Sequence, residues 1–226
     1  MRQMTLLFLL LYAIDVSVCL FAIKSRKSWL YVVTKPLLMP LLCFLYMFLL
    51  PEELRNFGSQ KNVILALSLH TLGDICLLFP RGKDKRMFFL GMICFFTGHI
   101  FYSTWFINSP ANHSNNVAIV AFMVIFLVEY LLYRQLILGP RKYAPILVPY
   151  SFGLCFVFVS IASTFASGVP FYASLASLIG ISLFYFSDFC IMRRLIRLPL
   201  FGQMVVMGTY IAGQSLIVLG MLLMQV

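Results

Sequence analysis

Apolar residues run through this chain in long stretches broken by short polar segments. Eight stretches approach or exceed the roughly 20 residues that a helix needs to cross a bilayer. They are residues 4–23, 30–50, 62–80, 87–107, 117–138, 144–165, 171–192 and 203–224. They are continuous rather than alternating, which argues against barrel strands. In lipid, backbone polar groups must be satisfied within the segment, so helices are expected. The pattern predicts an all-α polytopic membrane protein, a single transmembrane domain over residues 1–226. The first stretch is long enough to span and lacks a small-residue cleavage site, so it is read as a helix and not a signal peptide.

Polar residues inside these stretches carry the functional information. Asp74 and Asp188 each lie deep in an apolar run, in Leu72-Gly-Asp-Ile-Cys-Leu77 and Gly180-Ile-Ser-Leu-Phe-Tyr-Phe-Ser-Asp188. His70 and Asp74 share a helix face, as do Tyr210 and Gln214, His99 and Tyr102, and Gly180, Phe184 and Asp188. Asp15, Lys35, Glu129 and Tyr150 are further polar positions within spans. Ionisable groups are costly in a bilayer and are expected to face a protein interior or a watered cavity. Lys35 admits two readings: snorkelling to the surface, or pairing with a carboxylate or a lipid phosphate. Glu129 is within reach of Arg134. Pro36 and Pro40 are positioned to break the second span.

Composition narrows the class. The chain is 62% hydrophobic and 11% charged, against about 25% charged in soluble domains. A net charge of +10 raises nucleic acid as a partner, but the placement of the charges rejects it. Thirteen of the 17 basic residues fall in alternate loops, at Lys24–Lys27, Arg81–Arg86, Arg134–Lys142 and Arg193–Arg197. Arg2, Arg55 and Lys61 lie on the other face. The positive-inside bias makes the first face cytoplasmic and both termini non-cytoplasmic. On the rise per residue, Asp74, Asp188, Lys35 and Tyr150 then sit in the cytoplasmic half, which points to one polar cavity open to that side. The six cysteines all lie in apolar runs without a CxxC, as free thiols. A metal site would have to be built from His70, His99 and Asp74, a sparse set; none is expected. Ser187 has no GxSxG context, so a serine hydrolase is not indicated.

Asp74-Ile-Cys76 and Asp188-Phe-Cys190 echo one another in the third helix of each four-helix half, which suggests a pseudo-repeat. The set Lys35-Pro-Leu-Leu-Met-Pro40, Gly73-Asp74 with Leu77, Gly98-His-Ile-Phe-Tyr102, Gly180, Phe184, Ser187-Asp188, Thr209-Tyr210 and Gln214 resembles the YhhN-like membrane proteins. Characterised members of that family are lysoplasmalogenases. The resemblance runs from the second span to the end of the chain. It implies hydrolysis of the sn-1 vinyl ether of a lysophospholipid, without metal or cofactor. The two matched aspartates, Asp74 and Asp188, are the implied catalytic pair, with Lys35, His99, Tyr102, Ser187, Tyr210 and Gln214 as substrate-binding candidates. Vinyl ethers hydrolyse through protonation at carbon, which needs a carboxylic acid, and an oxocarbenium ion, which a second carboxylate stabilises. The apolar neighbours Phe184, Phe186 and Phe189 favour Asp188 as the acid. The implied partners are a lysophospholipid and membrane lipids, and the implied location is a bacterial inner membrane. The alternative from another class is a small proton-coupled carrier using the same buried acids and a broken second helix.

Overall fold

The computed structural model describes residues 2–79, 86–137, 144–166, 168–195 and 199–226, with side chains except at 2, 132–137, 144–149 and 195. Among the described residues it is all-helical apart from loops. The α-helices are α1 (Arg2–Lys24), α2 (Ser28–Leu49), α3 (Phe57–Leu78), α4 (Arg86–Ile107), α5 (Asn115–Ile137), α6 (Ala144–Ser163), α7 (Phe171–Leu195) and α8 (Gln203–Leu223). All except α5 and α6 contain a described stretch long and apolar enough to cross a membrane. In α5 and α6 the described apolar stretches are shorter, Asn115–Leu131 and Tyr150–Ser163. Helices such as α1 and α5 expose leucine, valine, methionine and phenylalanine along whole faces, which is what a helix presents to lipid. Several loop residues behind the orientation reading lie outside the described set: Arg81, Lys83, Lys85, Arg141, Lys142 and Arg197, with the Arg134 side chain.

The chain divides into two compact units, Met1–Trp105 with Gln225–Val226, and Phe106–Met224. The division falls at the end of α4, and the third helix of each unit carries one of the two aspartates, Asp74 on α3 and Asp188 on α7.

In the first unit, α1 lies on α2 through Phe8, whose ring stacks at 5.2 Å from Phe44 and 5.1 Å from Phe48. The buried stripe of α1 is Tyr12, Asp15, Cys19 and Ala22, spaced by three and four residues. Contrary to the broken-span expectation, α2 is continuous through Pro36 and Pro40. Each proline lacks an N–H for the carbonyl one turn earlier, yet the helix runs unbroken from Ser28 to Leu49, with a buried stripe that includes Lys35, Leu38, Met39, Leu42 and Tyr46. Its end is tied by Arg55, whose Nη2 donates to the carbonyls of Phe48 and Leu50, both at 2.8 Å. Helix α3 starts earlier than the apolar run because Asn56 caps it, accepting from Ser59 N at 2.8 Å. A closed polar ring joins this end of the unit. Gln225 Nε2 donates to the Tyr46 hydroxyl at 2.6 Å, Tyr46 donates to Gln60 Oε1 at 2.6 Å, and Gln60 Nε2 donates to Gln225 Oε1 at 2.8 Å.

In the second unit the tightest pairing is α7 on α8. A Cβ on Gly213 would lie 2.8 Å from the Gly180 carbonyl oxygen and 2.8 Å from Phe184 N. The two backbones touch here, and only glycine permits it, as in small-residue helix pairs of membrane proteins.

Candidate functional site

Asp74 sits on the buried stripe of α3, one turn after His70. Its partner comes from the next helix. Lys35 Nζ lies 3.1 Å from Asp74 Oδ1, with side chains 8% and 2% exposed. The structure therefore takes the carboxylate reading of Lys35 over snorkelling: the lysine forms a buried ion pair. Burial of two charges is tolerated because each is the other's counter-ion.

His70 and His99 are both fully buried. Their rings meet edge-on at 5.1 Å between centroids, and His70 meets Tyr102 at the same separation. Helices α3 and α4 come this close because Gly98 faces His70: an added Cβ would fall 2.5 Å from Nε2. The i, i+4 spacing of His70 and Asp74 thus places the imidazole between the ion-pair turn of α3 and the His99–Tyr102 face of α4. Among the described residues no three His, Cys, Asp or Glu side chains gather as a metal ion would require, so His70, His99 and Asp74 do not form a zinc set.

In the second unit Asp188 is buried on α7, and the Tyr150 hydroxyl of α6 donates to its Oδ2. Phe184, one turn earlier, is fully buried and lies 5.6 Å from the Tyr210 ring on α8. Gln214, one turn beyond Tyr210, is also fully buried. Ser187 donates to the backbone carbonyl of Val206 at 2.9 Å, so its proton ties α7 to α8. Arg194 is committed likewise, donating to the Phe201 carbonyl at 2.9 Å in the connection to α8.

A family model for the YhhN family matches residues 30–221. The chain belongs to the YhhN family. No curated protein and no solved structure matched it. In this YhhN-family chain every residue that carries the sequence resemblance, from Lys35 to Gln214, lies inside the matched segment; Asp15 lies outside it.

The two acids of this YhhN-family protein have different partners, and that difference sets what each can do. A carboxylate beside an ammonium has its charge balanced and keeps basic lone pairs. A phenol donates a neutral hydrogen bond to its carboxyl partner and brings no positive charge with it, so that group keeps the ordinary chemistry of a carboxylic acid. Sequence reasoning placed Tyr150 near the depth of Asp188 but did not pair them. It also left Glu129 with Arg134. The Arg134 side chain lies outside the described residues; the Glu129 carboxylate accepts from the Cys155 thiol at 3.5 Å and faces the Tyr185 hydroxyl. No single-helix periodicity signals either contact, since both depend on how neighbouring helices are rotated.

Proposed function

We propose that this YhhN-family protein is a membrane lipid hydrolase that cleaves the sn-1 vinyl ether of lysoplasmalogens. The products are a fatty aldehyde and glycerophosphocholine or glycerophosphoethanolamine. The observation that carries the reading is the unequal pairing of the two acids: Asp74 with the Lys35 ammonium, and Asp188 with the Tyr150 hydroxyl. Each takes its role from the partner it has in its own unit.

Asp188 is the acid. It transfers a proton to the alkene carbon remote from the ether oxygen, and the adjacent carbon becomes an oxocarbenium ion. The Tyr150 hydrogen bond stabilises the carboxylate left behind. Asp74 is the base. It takes a proton from the water that adds to the cation, giving a hemiacetal. As the hemiacetal collapses, Asp74 gives its proton to the departing glycerol oxygen and Asp188 takes the hydroxyl proton, which breaks the C–O bond, releases the aldehyde and restores both carboxyl groups to their starting states. Lys35 holds Asp74 charged and oriented rather than gripping the lipid phosphate, which passes to Arg193 in the last turn of α7. His99 and Tyr102 in the first unit, and Tyr210 and Gln214 in the second, order water and the glycerol backbone, and Ser187 ties α7 to α8. The chain crosses a bacterial inner membrane eight times, with both termini outside and the cavity open to the cytoplasmic side.

The test is turnover by detergent-purified protein on three lysolipids that differ only at sn-1: vinyl ether, saturated ether and ester. Aldehyde from the vinyl ether alone is the expected result. A carrier would convert none of them, because detergent removes its compartments. Release from the ester would make the protein a lysophospholipase instead.

A further inference from the structure

The first unit holds a third buried aspartate that the reaction above does not use. Asp15 is 7% exposed, on the inward stripe of α1. Its Oδ2 is buried with no hydrogen-bond partner. One turn on, the buried Cys19 thiol is hydrogen-bonded with the Thr34 hydroxyl and lies within electrostatic reach of Asp15, Lys35 and Asp74. The α1 stripe therefore lies near the Lys35–Asp74 ion pair, and an unsatisfied acceptor is buried on that stripe. A buried polar atom without a donor costs roughly as much as a hydrogen bond to a charge contributes, so a chain that retains one has a use for it when a donor arrives. The Lys35 ammonium is already held by Asp74 at 3.1 Å. The family match begins at residue 30, so nothing in the family assigns Asp15 a role.

We propose that Asp15 is a substrate-binding residue of the Lys35–Asp74 site, accepting a hydrogen bond at Oδ2 from a donor on the lysolipid. This rests on the lysolipid reading above. Two donors on such a lipid have the right chemistry: the free sn-2 hydroxyl of the glycerol, and the ammonium of an ethanolamine head group. The hydroxyl is the one expected. It is present in every lysolipid whatever its head group, and acylating it removes the donor and adds bulk. Asp15 then selects lysolipids over their two-chain parents.

The test is equilibrium binding in detergent of saturated 1-O-alkyl lysolipids, which carry no vinyl ether and so report binding whether or not the protein hydrolyses anything. Wild type, Asp15→Ala and Asp15→Leu are compared, each checked for folding by its thermal transition. The probes are the choline lysolipid, its sn-2 O-methyl ether and the ethanolamine lysolipid. Asp15→Ala is expected to weaken the choline probe about tenfold or more and to leave the O-methyl probe unchanged. A loss confined to the ethanolamine probe assigns the ammonium as the donor. Equal affinity of wild type and a folded variant for all three overturns the proposal, as does failure of wild type to bind any. Because no step requires turnover, a failure here is separate from a failure to release aldehyde.

Discussion

Replacing Lys35 with methionine removes the ammonium and keeps most of the aliphatic stem. Lys35 Nζ is 3.1 Å from Asp74 Oδ1, and the two side chains are 8% and 2% exposed. Two unit charges at that separation attract by about 5 kcal/mol at an effective dielectric of about 20. The desolvation of both ions offsets much of this, so the pair as a whole contributes little net stability. Removing one member is a different matter, since it leaves a buried carboxylate without a counter-ion, at a cost of about 3–5 kcal/mol. Lys35→Met is therefore expected to destabilise by that amount, and Asp74→Leu by a similar amount. The double variant, with both charges gone, is expected to recover most of the loss. Equilibrium unfolding of the detergent-solubilised protein gives the four free energies, and their cycle gives the coupling. The reasoning is refuted if Lys35→Met lies within about 1 kcal/mol of wild type, or if the double variant is as unstable as the sum of the singles.

Further outcomes follow from other contacts. Tyr150→Phe keeps the ring and removes the donor to Asp188; it is expected to lower aldehyde release by about tenfold or more, with the fold intact by circular dichroism. Gly213→Val drives a side chain into the α7 backbone, where even a Cβ would lie 2.8 Å from the Gly180 carbonyl; the unfolding midpoint should fall by an amount equivalent to about 1–3 kcal/mol or more. Ser187→Ala loses the bond to the Val206 carbonyl and is expected to cost about 1 kcal/mol of stability with KM unchanged, whereas a raised KM at unchanged stability would make Ser187 a substrate ligand. Gln60→Leu opens the ring with Tyr46 and Gln225 and should destabilise by about 1–3 kcal/mol, read in the same unfolding assay.

The sequence made the helices legible because each is an apolar run bounded by charges, prolines or caps. It also made single-helix faces legible: His70 with Asp74, and Phe184 with Asp188, are buried along the stripes that their spacing implies. What it could not carry is pairing between helices. Whether Lys35 snorkels or turns inward depends on the rotation of α2 against α3. Asp188 meets Tyr150 only because α6 lies beside α7 in a particular register. The continuity of α2 through two prolines is likewise a property of its packing, since local preference alone argues for a break. Asn56 shows the reverse case, in which a polar residue lengthens a helix beyond its apolar run by capping it.

The most direct test of the account is aldehyde release from a lysoplasmenyl lipid by purified protein, with Asp74→Asn and Asp188→Asn measured alongside and chelator present in a parallel arm. The account predicts turnover by wild type that persists in chelator and is abolished in both variants while they remain folded. Undiminished turnover in either folded variant would contradict the two-carboxylate mechanism, and absence of turnover by folded wild type would contradict the assignment as a vinyl-ether hydrolase.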